Sequence, residues 1–330
     1  MLGAMRASIR LPRILIRFSS SQPRRARRAV GCAIAAPSVA ALRHTMRPSV
    51  VLLASFVVAQ TPPSPPEPAD LEQLARRVDV AHRPRGPVPP VTALTCSLTV
   101  HMLDAKAEQG GQGDLEVKFL EWQRPDKQIR HLIRYRVIQA GKPIVRGCDQ
   151  YGYWQLFQGE PKDLRREFAE VDLKAAERDT NLARQLIRFT DPGTVIRSLK
   201  NPGPVRNEIL TLDRVTKVPC WVVEGDLAAF PLLQQAGADA PVRLEVFVRK
   251  DKETLVAVEA YPLVDGKKDP TRGERVHLLD LRERNDLLVP HELVHLFRGA
   301  DGELELKTKV TLIDLNLRPQ LGVEDFDRKK

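Results

Sequence analysis

Cysteine is scarce in this chain. Four occur in 330 residues, and one of them, Cys32, lies in an arginine-rich prefix. The other three, Cys96, Cys148 and Cys220, are odd in number and widely spaced. That excludes a dense disulfide framework and any zinc module built on paired cysteines. It leaves either one disulfide with a leftover thiol or three buried thiols. Acidic residues are missing altogether from positions 1–59, which carry Arg6, Arg10, Arg13, Arg17, Arg24, Arg25, Arg27, Arg28, Arg43 and Arg47. Removing those ten from the 52 basic residues leaves 42, equal to the 42 acidic ones. The net charge of +10 therefore resides in the prefix, and the neutral remainder excludes a nucleic-acid partner argued from the high pI. Also missing are a glycine loop for phosphates, a G-x-S-x-G elbow and any apolar run long enough to span a bilayer comfortably.

The apolar run in the prefix is SVVLLASFVVA, preceded by Met46-Arg47-Pro48 and ending in small residues at Val57 and Ala59. A short basic start, a short apolar core and small residues at the end match a secretory signal peptide. Met46 is read as the start of that signal, with 1–45 an upstream extension; an uncleaved anchor is the alternative. Residues 1–59 thus form a leader that directs export to the periplasm or cell envelope. Residues 60–69 include TPPSPPEPA, a semi-rigid tether, and 70–330 form the folded domain.

Within that domain DLEQLARRVDVAH (70–82) places Leu71, Leu74 and Val78 on one helical face, with Asp70 as N-cap. Period-2 alternation follows. LTCSLTVHM, DLEVKFLEW and QIRHLIRYRV read as strands, with a glycine-rich turn at Gly110, Gly111 and Gly113 between the first two. From 161 to 200 the spacing turns helical, broken by Asp191-Pro192-Gly193. Strands then resume, and from Val242 to Phe326 about five antiparallel runs alternate with hairpin-length turns. The expected class is α+β: one broad antiparallel β-sheet with helices on one side and a helical insertion at about 161–200.

His291-Glu292-Leu293-Val294-His295 matches H-E-x-x-H, a zinc-hydrolase signature when it lies on a helix. Pro290 before it and Gly299 after it leave little room for a helix, and the flanking residues continue strand alternation. In a strand the two histidines share a face about 13 Å apart, too far for one zinc. The motif is accordingly read as a strand. No catalytic residue, metal ligand or cofactor is assigned, and the hydrolase built on His291, Glu292 and His295 is kept as the alternative.

Four pieces, in order, carry a family resemblance. They are Arg124-Pro125 followed by Arg130, the glycine-then-aromatic stretch from Gly147 to Trp154, the helical insertion, and the ending ValThrLeuIleAspLeuAsn (310–316) with Phe326 beyond. Over about 70–327 the chain resembles the periplasmic lipoprotein carriers of the LolA type and their lipoprotein-sorting relatives. The resemblance implies an incomplete β-barrel with helices as a lid over an apolar cavity for acyl chains. Leu98, Val100, Val117, Phe119, Ile133, Tyr135 and Trp154 are the candidate cavity residues, with Arg130, Arg134 and Arg136 facing outward. The function expected is a non-catalytic envelope protein, a monomer that binds a lipid or a lipoprotein acyl chain. An envelope protein partner is a further expectation, and an interaction or scaffold module is the remaining alternative.

Overall fold

The computed structural model describes residues 66–103, 109–139, 142–167, 170–212, 215–233, 240–299 and 301–328. The leader, Met46 and the first part of the tether lie outside the described residues. Helix α1 (Leu71–His82) begins at Asp70, whose carboxylate accepts from the Gln73 N–H at 2.7 Å. Its buried stripe is Leu74, Ala75, Val78 and His82.

Six strands follow: β1 (Ala93–Leu103), β2 (Gln109–Gln123), β3 (Ile129–Gln139), β4 (Lys142–Asp149), β5 (Gly152–Phe157) and β6 (Glu160–Asp163). The turn at Arg124-Pro125 closes with Arg124 N–H donating to Gln128 C=O at 2.9 Å, and Lys127 takes a positive φ of 63° there. The expected glycine turn is a correction. Gly111 and Gly113 lie inside β2, opposite Met102 and Val100 of β1. Glycine weakens a strand but does not forbid one, and the ladder to β1 overrides its turn preference.

The insertion comprises α2 (Leu164–Glu167), α3 (Glu170–Phe189) and α4 (Pro192–Arg197). The break at Asp191-Pro192-Gly193 is the start of α4: Asp191 accepts from Thr194 N–H and from Thr194 Oγ1, and Pro192 occupies the first turn. The second half is β7 (Arg206–Leu212), β8 (Thr216–Phe230), β9 (Ala240–Arg249), β10 (Thr254–Val264), β11 (Lys267–Lys268), β12 (Glu274–Arg284), β13 (Leu287–Arg298) and β14 (Leu304–Asn316). A 3-10 turn (Val323–Phe326) ends the described chain.

All fourteen strands join one antiparallel sheet in the order β6-β5-β4-β3-β2-β1-β14-β13-β12-β10-β9-β8-β7, with β11 beside β10. The sheet is open, since β6 and β7 stand at opposite ends. This is the expected α+β architecture, an open antiparallel sheet with helices over one face. The two halves meet where β1 pairs with β14, Val100 opposite Val310. The helix-covered face is one continuous apolar core. Leu94, Phe119, Ile133, Val258 and Leu293 from the sheet pack with Leu74 and Val78 of α1, Leu186 and Phe189 of α3, and Ile196 of α4.

Cys96, Cys148 and Cys220 are all free thiols, which decides between the two thiol readings. Burial pushes Cys96 and Cys148 up to about 12 and Cys220 up to about 11, so none is a nucleophile near neutral pH.

Face assignment is tested by a pair of substitutions on β3. Ile133→Asp should destabilise the fold by about 3 kcal/mol or more, because it empties a filled site and buries a charge. Arg136→Ala, at an exposed position on the other face of β3, should shift it by less than about 0.5 kcal/mol. Equal midpoints for the two variants in urea unfolding would reverse the faces.

Candidate functional site

The structure brings six of the seven candidate residues together. Leu98, Val117, Phe119, Ile133 and Tyr135 are buried on the helix-covered face, and half-buried Val100 packs against them. They belong to the packed core, so this part of the face is filled by the protein's own side chains.

Trp154 is a correction. It stands opposite Gly147, which stands opposite Arg134. Cross-strand partners share a face, so Trp154 lies on the face of Arg134 and away from Ile133. The indole occupies the space a side chain at 147 would need; a Cβ there would lie 2.6 Å from the ring. The Arg134 guanidinium sits 5.8 Å from the ring centroid. The turn Val323–Phe326 lies against β3 and β4, and Phe326 is fully buried. The glycine-then-aromatic pairing thus has a steric basis on the face opposite the helices. Alternation along β3 carries no phase across two hairpins, which is why the side of Trp154 was not legible.

The H-E-x-x-H residues lie on β13, antiparallel to β14, with Glu292 opposite Thr311 and Leu293 opposite Val310. His291 and His295 are buried on the helix-covered face, His291 Nδ1 lying 3.4 Å from the Leu312 carbonyl. Glu292 points the other way, into an ion pair with Lys309 at 2.8 Å. A zinc hydrolase needs both imidazoles on one ion and the carboxylate on its water. Here the imidazoles are about 13 Å apart by strand rise, and the carboxylate is on the far face of the sheet. Among the described residues no group of three or more His, Cys, Asp or Glu is placed to hold a metal.

His295 belongs instead to a buried polar group that joins sheet to helix. The Glu274 carboxylate, 1% exposed, accepts from Leu233 N–H at 2.8 Å and Gln185 Nε2 at 3.1 Å, with His295 Nδ1 at 3.4 Å. Gln185 also donates to the Pro231 carbonyl, and Asn181 to that of Leu232. These contacts tie α3 to residues 231–233. Sequence gave no signal for them, because a lone glutamine on an amphipathic helix reads as solvated. His82 makes a second tie. Its Nε2 accepts from Leu255 N–H at 3.0 Å, so Nδ1 carries the proton and donates to Leu288 C=O at 2.8 Å. One imidazole thereby fixes α1 to β10 and β13.

An open space does exist at the margin between helices and sheet. A slot of about 530 Å³ is lined by Arg188 of α3, Val195 and Arg197 of α4, Ser198, Leu199 and Lys200 after it, and Leu227, Ala228 and Ala229 of β8. The β8–β9 register shifts between Leu227 and Phe230, which lifts the two alanines out of the ladder. The walls are anchored. Arg197 pairs with Glu72 at 3.0 Å and Asp79 at 2.7 Å, and the Lys200 and Asp226 backbones exchange hydrogen bonds at 2.8 Å. None of these residues was singled out from sequence; the Asp191-Pro192-Gly193 break was the one available sign that the helical layer opens here.

No family model matches the chain, and no curated protein matches it in sequence. Among solved structures it is similar to LolA superfamily protein NE2245 from Nitrosomonas europaea, with TM-score 0.43 and 10% identity over 78% of this chain and 97% of that one. LprF from Mycobacterium bovis matches with TM-score 0.28 and 9% identity over 78% and 98% of the two chains. MucB, solved in complex with MucA, matches with TM-score 0.17 and 9% identity over 74% and 94%. At these values the likeness concerns architecture alone and carries no functional inference.

Burial pushes His82 down from its ordinary 6.5 to about 4, and His277 likewise to about 4. The unfolded chain takes up these protons first. Stability is therefore full above about pH 6.5 and falls as pH drops from 6.5 to 4, by about 3 kcal/mol for His82 alone. His82→Gln should flatten that slope without abolishing it, since His277 titrates in the same window; urea unfolding between pH 7.5 and 4.5 measures it. An unchanged slope would contradict the neutral imidazole bridge.

A metal assay tests the reading of β13. Glu292→Gln should leave folding unchanged, and His291→Ala should cost about 1–3 kcal/mol as a buried truncation. Purified protein should contain no stoichiometric zinc by elemental analysis. Zinc lost from the His291 variant, with hydrolysis lost from Glu292→Gln, would restore the hydrolase.

Proposed function

We propose that this chain is an exported, non-catalytic envelope protein that binds an apolar ligand, the acyl chain of a lipid or lipoprotein. The slot between α4 and β8 carries this reading. Its 530 Å³ falls within the roughly 300–1,000 Å³ range of small-molecule sites. Val195 and Leu199 of its lining are buried, Leu227 and Ala229 half-buried, and Arg188, Arg197 and Lys200 exposed. Buried apolar lining beside exposed cations favours an amphiphile over a polar metabolite. The sequence resemblance to lipoprotein carriers agrees with this ligand class, and the export signal read in the prefix agrees with the compartment. Occupation of the centre of the sheet face by Phe119, Ile133 and Tyr135 supports the margin of the helical layer as the proposed site.

A fluorescent palmitate analogue titrated into the purified protein should bind saturably and be displaced by unlabelled palmitate. Ala228→Trp, at an exposed wall position, should fill the slot and weaken binding by about tenfold, close to 1.4 kcal/mol. Lipid extraction and mass spectrometry of protein purified from a membrane-containing lysate provide an independent check. Absence of saturable binding, or unchanged affinity in Ala228→Trp, would sink this assignment.

A further inference from the structure

Three cations and no carboxylate line the slot beside α4: Arg188, Arg197 and Lys200. The rest of the lining is one serine and apolar side chains. The excess is local, because basic and acidic residues are equal in number outside the leader.

Arg197 is neutralised within the fold by Glu72 at 3.0 Å and Asp79 at 2.7 Å. Arg188 and Lys200 are not; among the described residues neither forms an ion pair. The neighbouring carboxylates are already engaged. Asp191, just after Arg188 in the chain, accepts from Arg83 Nη2 and from Thr194 Oγ1, each at 2.8 Å. Asp226, whose backbone exchanges hydrogen bonds with that of Lys200, accepts from Arg243 Nη1 at 2.9 Å and Asn201 Nδ2 at 3.1 Å. The Ser198 hydroxyl donates to the Thr194 carbonyl at 2.7 Å. Two exposed cations without a partner therefore stand beside the buried side chains of Val195 and Leu199.

We propose, on the assignment of this slot to an acyl chain, that the amphiphile it holds is anionic. A single chain lies against Val195, Leu199 and Leu227, and its ionised head, a carboxylate or a phosphate monoester, pairs with Arg188 and Lys200. The planar fork of Arg188 matches either head, and Lys200 adds a point charge. Hydrogen bonds to an ionised head are roughly twice as strong as those to a neutral one. An alcohol or ester end gains only the weaker kind. The charge thus separates a free fatty acid or alkyl phosphate from the acyl chain of a lipoprotein, which is linked by ester or amide bonds and brings no charge to this position.

Three probes of one chain length test the head group by calorimetry on the purified protein: laurate, dodecyl phosphate and dodecanol. At least one of the two anions should bind about tenfold tighter than dodecanol at low salt, and the preference should shrink as salt rises. Arg188→Ala and Lys200→Ala, both at exposed positions, should each weaken that anion by about fivefold. Neither should alter dodecanol binding or the unfolding midpoint. Arg136→Ala, on the opposite face of the sheet, should change no affinity. Preference for laurate supports a fatty acid, and preference for dodecyl phosphate alone supports a phosphate monoester. Equal affinity for all three, or an anion preference that survives removal of both cations together, overturns the proposal and leaves the acyl site intact. Absence of binding by any of the three overturns both.

Discussion

The pairing of β1 with β14 is the contact on which the architecture depends. It joins the first strand of the domain to the last, and through it two meanders become one sheet. Without it, β1 and β14 would be unpaired edges, each with a row of free N–H and C=O groups. Bringing such distant segments together costs loop-closure entropy, which grows slowly with length. The ladder from Thr95–Asn316 to Met102–Thr308 offsets that cost, together with the apolar contacts of Leu98 and Val100 against Leu312 and Val310.

A sheet of this breadth, with one apolar face, needs cover, and α1, α3 and α4 supply it. Apolar packing alone would leave their positions loosely specified. Two buried polar ties add direction: His82 joins α1 to β10 and β13, and Gln185 with Asn181 joins α3 to residues 231–233 and Glu274. Each is costly to leave unsatisfied, so each holds its helix in one place. This filling leaves open space at the margin beside α4.

Much of the fold was legible because strand periodicity is local. The alternation in LTCSLTVHM and DLEVKFLEW predicted which side Leu98, Val117 and Phe119 would take, and the structure agrees. Alternation through 288–298, with Pro290 and Gly299 as limits, identified β13 despite its H-E-x-x-H lettering. Gly111 and Gly113 misled, because turn propensity is weaker than a ladder partner that lies elsewhere in the sequence. Trp154 misled for a related reason: its side depends on the register of β4 and β5, and two hairpins erase the phase.

The sequence by itself determined the class of fold, the order of helices and strands, the neutral charge of the domain and the inward side of most strand residues. These follow from composition and from periods of 2 and 3.6, which each segment carries alone. Tertiary structure decided that the sheet face is filled, that the thiols are unpaired, that His82 and Glu274 anchor helices, and that Lys118 faces Arg134. Those outcomes depend on register and on contacts between segments distant in the chain, and no local pattern encodes them.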